Sequence, residues 1–345
     1  MSRPCKPVLE ELPPEIAEQV VGELDFVSKI RVRKICRNFK NAVNNRKVEN
    51  ALFMVDCSED SIRIYWPEKD SFDYDKHPDG CCVKYRDNNV KKEKVIHEDY
   101  ITCAMRDLAT TLSIPKLSLE VFDITHDLHS DTKQFVEPLK AILRSRDNKL
   151  SVKDLQILMN LDQDDIFDFL SLVKPGTLEN VSITQSENNF NLGRIAELPQ
   201  WKQAKSLHMR IGNEPIDSFL HFQDLDLEYR NELSLEDATK LVNAAIQQGD
   251  KFAKFSVSEC ECDYHIGGYL EQIGSTLFPL PSPYSPPQFG PVNTRSRENG
   301  DIGIRVAESC FEPRYIAIPN SEFSLMVQWN KTSFTIKRVI PYDCD

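Results

Sequence analysis

The sequence predicts an α+β protein with an α/β repeat: a short all-helical N-terminal segment, then an irregular βα solenoid, then β-strands at the C-terminal end. Three observations lead there. Charge and apolar spacing set residues 9–48 apart as helical. An apolar-x-apolar motif then recurs along the middle of the chain, with helical patterns between its copies. Alternating apolar residues return after residue 300.

The first helix opens at Leu12-Pro13-Pro14-Glu15. Proline has no N–H to lose in a first helical turn, and the following glutamate suits the positive end of the helix. Ile16, Val20 and Leu24 then fall at i, i+4 and i+8, with Ala17 and Val21 beside them. Gly22 interrupts this stripe at a cost of about 1 kcal/mol relative to alanine. Asp25 or Ser28 can cap the next helical stretch, whose apolar positions are Ile30, Val32, Ile35, Cys36, Phe39 and Val43. Residues 9–25 hold six acids and no base, while residues 28–48 hold eight bases and no acid. Helices this few cannot bury all of these faces alone. Two uses of the surplus stripe stay open: packing onto the rest of the chain, or serving as a partner surface.

Residues 49–113 read as a small antiparallel sheet followed by a helix. Ile62, Ile64 and Trp66 alternate, Val83 and Tyr85 alternate after the turn signal Pro78-Asp79-Gly80, and Ala104, Leu108 and Leu112 mark a helix from Tyr100 to Leu112. From 114 to 278 the motif repeats. Lys116-Leu117-Ser118-Leu119, Lys149-Leu150-Ser151-Val152 and Lys254-Phe255-Ser256-Val257 share one form, and its apolar-x-apolar core also starts at Val181, Leu207 and Leu225. Helical patterns lie at Phe135–Leu143, Ile166–Val173 and Leu235–Ile246. A strand and a helix per unit reads as a leucine-rich-repeat-like solenoid, with an ordinary parallel α/β sheet as the rival. Six prolines between 279 and 291 place a loop or extended stretch at 279–300. Residues 301–345 carry alternating strands that would cap the repeat region.

Composition narrows the function classes. The chain has 345 residues, enough for about two domains. Twelve glycines, about half the usual share of about 7%, argue against glycine-rich nucleotide folds. Forty-two bases against 54 acids give a net charge of −12, a poor general match for nucleic acid. No apolar run of about 20 residues predicts a membrane span, and the first residues do not read as a signal peptide. Ten scattered cysteines without an export signal predict reduced thiols in the cytoplasm or nucleus.

No chemistry-bearing motif is visible. G-x-x-x-x-G-K, G-x-G-x-x-G, G-x-S-x-G and H-E-x-x-H are all missing from the sequence. Cys260, Cys262 and His265 are too tightly spaced for zinc and lack a fourth ligand, and Cys81-Cys82 reads as packing. Asp162, Asp164, Asp165 and Asp168 lack the glycine and closing glutamate of a calcium loop, and read better as the acidic start of a helix. The sequence therefore predicts no cofactor, no metal and no catalytic residue.

The N-terminal residues resemble the F-box family: Leu12-Pro13-Pro14-Glu15-Ile16, Val20, Leu24-Asp25-Phe26, Ile30, Arg33-Lys34-Ile35-Cys36-Arg37-Asn38-Phe39 and Val43 follow its pattern in order. Ile35 stands where valine is common and Phe39 where tryptophan is. The middle of the chain resembles the FTH domain of the nematode F-box A group, through Pro175-Gly176-Thr177-Leu178-Glu179, Gln200-Trp201-Lys202-Gln203-Ala204-Lys205, Phe219-Leu220-His221-Phe222 and Leu233-Ser234-Leu235-Glu236-Asp237. The resemblance implies a non-enzymatic, substrate-recognition subunit of an SCF-type (cullin-RING) ubiquitin ligase. It implies that a Skp-type adaptor binds Leu12, Pro13, Ile16, Val20, Leu24, Ile30, Ile35 and Phe39, and that the FTH repeat region holds an unknown target. The chain is expected to be monomeric before assembly, and a scaffold with a non-degradative role is the alternative. The organisation that follows is a tail at 1–8, an F-box at 9–48, a connecting region at 49–113, an FTH domain at 114–278, a proline-rich loop at 279–300 and capping strands at 301–345.

Overall fold

The computed structural model describes residues 12–66, 71–87, 90–126, 133–184, 192–211, 214–229, 232–258, 261–262, 314–317, 321, 323–329 and 332–339. The chain divides into two compact units, Met1–Phe222 and Gln223–Asp345.

The first unit begins with three helices, α1 (Pro14–Glu23), α2 (Phe26–Arg33) and α3 (Arg37–Asn45). The stripe from Ile30 to Val43 therefore belongs to two helices rather than one. The break falls at Lys34–Cys36, where the Lys34 and Ile35 N–H groups bond the Arg31 and Val32 carbonyls to close α2 with tight turns. Of the two candidate caps, Asp25 serves: it accepts from the Ser28 N–H at 2.6 Å.

A long strand, β1 (Val48–Ser58), follows, and then β2 (Ser61–Tyr65), β3 (Ser71–His77), β4 (Gly80–Asp87) and β5 (Val90–Ile96). Each of these pairs antiparallel with the next. The turn signal at 78–80 does what its residues demand. Gly80 has φ +131°, and a Cβ there would lie 2.3 Å from the Ile96 carbonyl oxygen, so only glycine fits. Helix α4 (Tyr100–Leu112), capped by Asp99 accepting from the Ile101 and Thr102 N–H groups, packs Ala104, Leu108 and Leu112 inward against this meander.

The next elements alternate. They are β6 (Leu117–His126), α5 (Lys133–Arg144), β7 (Ser151–Leu158), α6 (Gln163–Leu172), β8 (Asn180–Thr184), two short helices α7 (Gly193–Ala196) and α8 (Pro199–Gln203), and β9 (Ser206–Ile211). Strands β6 to β9 run parallel, side by side in chain order. Strand β1 is the junction: Val55 pairs antiparallel with Ile64 of β2 and parallel with Ile124 of β6. The helices pack in the same order, α4 on α5, α5 on α6, and α6 on α7 and α8. In β6 and β7 the inward-facing residues change parity at one register level, between Leu119 and Phe122 and between Val152 and Leu155.

The acidic run at 162–168 is structural. Asp162 caps α6 by accepting from the Asp165 N–H at 2.8 Å, while Asp165 and Asp168 take ion pairs from α5. Among the described residues no group of three His, Cys, Asp or Glu side chains is placed to hold a metal. Cys262 falls in a strand, while Cys260 and His265 lie outside the described residues.

In the second unit, β10 (Asp224–Tyr229), β11 (Glu232–Leu233), α9 (Leu235–Gln248), β12 (Lys254–Ser258) and β13 (Glu261–Cys262) precede β14 (Arg314–Ala317), β15 (Ser324–Trp329) and β16 (Ser333–Val339). Strands β10 and β12 are parallel; β16, β15 and β14 extend that sheet antiparallel from β12. Strands β11 and β13 form a separate parallel pair. Ser234 caps α9 by accepting from the Asp237 N–H, and Gly249 ends it with φ +54°. The proline-rich stretch at 279–300 and the strand expected at 302–306 lie outside the described residues. The architecture is thus α+β: N-terminal helices, then mixed sheets with helices. No helix among the described residues is long and apolar enough to cross a membrane.

Candidate docking site

The three N-terminal helices present two adjacent stripes, and the fold separates them. Helix α1 turns one of its two neighbouring apolar stripes inward. Ala17 and Val21, both 0% exposed, pack with α3, whose Phe39, Ala42 and Val43 are also buried. The stripe one residue back faces out: Ile16 is 42% exposed and Val20 is 38% exposed. Ile35, on the turn after α2, is 48% exposed. Val20 and Val21 are the same residue type, so the packing of α1, not residue character, decides which stripe is covered.

The eight residues the sequence brings forward therefore divide. Pro13, Ile16, Val20 and Ile35 are exposed, and Leu12 and Leu24 are half-buried. Ile30 and Phe39 are not on the surface. They are 7% and 3% exposed, because the single stripe read from the sequence is shared by two helices that each turn it toward the core. Periodicity identifies a stripe but not which of two neighbouring stripes is covered.

Polar contacts fix the helices to the rest of the unit. Asn38 donates its amide to the Leu12 carbonyl oxygen at 2.8 Å, which holds the entry to α1. Arg33 donates to Asn44 Oδ1 at 2.9 Å and to the Thr110 carbonyl at 2.6 Å, satisfying an acceptor that α4 leaves open at its C-terminal end. Burial lowers the pKa of Arg33. Lys34 pairs with Asp107 of α4 at 2.8 Å, and Lys116 donates to the Asn45 carbonyl at 2.8 Å. A partner held on Ile16 and Val20 would thus be held rigidly to the first unit.

Gly22 sits under the Arg46 side chain: a Cβ there would lie 2.8 Å from Arg46 Nη1. That atom ends a flexible, exposed side chain, so it can move aside. Gly22→Ala is expected to leave the fold intact and raise stability by up to about 1 kcal/mol, read as a higher urea midpoint of the full chain.

Comparison with known proteins places these elements. Residues 9–50 match the model of the F-box domain, and residues 133–266 match that of the FTH domain. The chain is 26% identical over 241 residues to F-box A protein 224 of Caenorhabditis elegans. The match takes in 68% of this chain and 62% of that protein, less than two thirds of the relative's length.

Proposed function

We propose that this F-box protein, which joins its F-box to an FTH domain, is a substrate-recognition subunit of an SCF-type ubiquitin ligase. A Skp-type adaptor would seat on the outward face of the N-terminal helices, through Leu12, Pro13, Ile16, Val20, Leu24 and Ile35. A target would be held by the FTH domain. The observation that carries this reading is the exposure of Ile16 and Val20 while Ala17 and Val21 beside them are covered. An i, i+4 aliphatic series on a rigidly anchored helix fits helix-in-groove recognition.

On this reading the chain does no bond chemistry itself. It raises the effective concentration of a target's lysines near a ubiquitin-charged enzyme. The strands β6 to β9, parallel and ordered as in the chain, with helices stacked in the same order, support a leucine-rich-repeat-like solenoid as the target-holding part. The domain limits read from the sequence and a cytoplasmic or nuclear location belong to the same proposal.

Affinity purification of the full chain followed by mass spectrometry tests it. A Skp-type adaptor and a cullin should be recovered together, and a co-purified target should accumulate when the ligase is inhibited. Recovery of targets without any adaptor would overturn the reading. Recovery of the adaptor with targets whose abundance ignores the ligase would favour the scaffold alternative.

A further inference from the structure

Residues 51–132 lie outside both matched domains. They nevertheless wall a cleft against α2. Val27 and Ile30 line one side, Trp66, Phe72 and Tyr74 the other, and Thr111 of α4 adds to the lining. The opening holds about 230 Å³. Small-molecule sites begin at roughly 300 Å³, so this space suits one bulky side chain better than a cofactor. Its polar groups are already engaged. The Tyr74 hydroxyl donates to Asp107 at 2.6 Å, and Lys34 pairs with the same carboxylate at 2.8 Å. What remains for an occupant is a narrow strip of aromatic and aliphatic surface at the mouth: Phe72 is half-buried, while Val27, Ile30, Trp66 and Tyr74 are each 7% exposed or less and form the floor.

The surroundings are basic. The Arg31 guanidinium lies over the Tyr85 ring, 4.7 Å from its centroid. Tyr85 is paired with Phe72 on β3 and with Lys92 on β5, and Tyr74 leads through Val83 to Lys94 in the same way. Partners across antiparallel strands share a face. Lys92 and Lys94 therefore stand on the cleft's side of the sheet, two strand spacings or about 10 Å from the aromatic wall. Arg31, Lys92 and Lys94 are exposed, and no carboxylate among the described residues pairs with them. Three cations without a carboxylate partner among the described residues, beside an apolar slot, stand out on a chain with net charge −12.

We propose that this cleft seats one large apolar side chain of an acidic peptide segment on a partner protein, with the segment's carboxylates facing Arg31, Lys92 and Lys94. The apolar slot supplies the anchor and the cations supply orientation and on-rate. This docking site does not depend on the adaptor reading.

The test titrates the full chain into fluorescein-labelled dodecapeptides with a central Trp, Phe or Leu flanked by Asp and Glu, read by fluorescence anisotropy. At least one peptide should bind at micromolar concentration. Binding should weaken at least about tenfold when the central residue becomes Ala, when the flanks become Lys, and in Arg31→Glu/Lys92→Glu/Lys94→Glu chain. It should also weaken with salt. The three substituted side chains are exposed, and an unchanged thermal melt checks the fold. Equal affinity for Lys-flanked peptides, unchanged affinity in the triple variant, or no binding by any of the three peptides would overturn the proposal. Self-association of the chain that the triple variant abolishes would also overturn it, because the occupant would then be a second copy.

Discussion

Ile16→Asp/Val20→Asp is expected to abolish recovery of a Skp-type adaptor while the protein melts as the parent does. Both side chains already contact water, at 42% and 38% exposure, so their removal leaves no cavity. Substitutions at such surface positions usually change stability by no more than about 0.5 kcal/mol. Ile16 lies in the first turn of α1, where a carboxylate is favoured by the positive helix end. An adaptor groove would respond quite differently. Central anchors of an interface each carry about 2 kcal/mol or more, roughly 30-fold in affinity, and a carboxylate pressed into an apolar groove adds its own desolvation cost. The pair should therefore lower affinity by on the order of 10³-fold, well beyond what a pull-down retains. The contrast is Val21→Asp one residue along, at 0% exposure. It buries an unpaired charge against α3 and should unfold the helices, losing adaptor and thermal transition together. Adaptor recovery that survives the Ile16/Val20 double variant would remove this face from the account.

How much of this was readable in advance depends on which physical signal each element carries. Caps and turn residues act locally, so Pro14 and Asp25 mark helix starts, and Gly80 marks a hairpin that only glycine can make; Asp99 and Ser234 carry the same kind of signal at α4 and α9 but are not read as caps from the sequence. The strands beginning near Leu117, Leu150, Val181, Leu207, Leu225 and Phe255 were legible because each alternates over a few residues between turn signals. Partner choice is not local. Nothing in Ala51-Leu52-Phe53-Met54-Val55 tells that β1 pairs antiparallel on one edge and parallel on the other. The short helices α7 and α8 are missed because four or five residues cannot show a helical period. At the docking face the apolar spacing reads as one stripe on α1 with Ala17 and Val21 beside it, and only the family resemblance turns Ile16 and Val20 toward a partner. The covered stripe is set by the packing of α1 on α3, where Ala17 and Val21 on one helix and Phe39 and Val43 on the other are buried. The cleft beside α2 had only a faint signal: aromatics at 66, 72, 74 and 85, and lysines at 92 and 94, which the fold and strand register bring to one side of the sheet.

Lys140→Met should cost the first unit about 3 kcal/mol of stability although methionine fills nearly the same space. The Lys140 side chain is 5% exposed on α5, and its ammonium pairs with Asp165, with Glu137 at 2.5 Å and with Asp168 at 3.4 Å. Burial alone would push its pKa down, but the three carboxylates outweigh that and raise it, so the group stays charged at any physiological pH. Methionine fills the same space without the charge. Glu137 is 61% exposed and returns to water, and Asp168 keeps Arg144. Asp165, 13% exposed, is the residue left with an uncompensated charge. Removing one partner of a buried ion pair costs about 3–5 kcal/mol, and the residual exposure of Asp165 sets the expectation at the lower end, about 3 kcal/mol. The pH dependence identifies the cause. Burial already raises the Asp165 pKa in the parent, with Lys140 opposing that rise. Without Lys140 it rises further, so the native variant binds a proton that the unfolded chain does not. The deficit is then full above that raised pKa and closes as pH falls through it toward the ordinary carboxylate value. Lys140→Met/Asp165→Asn should recover most of the loss at neutral pH, since it removes the stranded charge with the cation. Urea midpoints of the parent, single and double variants between pH 4 and pH 8 read this out; a single-variant deficit that stays constant across that range would show that packing, not charge, holds α5 against α6.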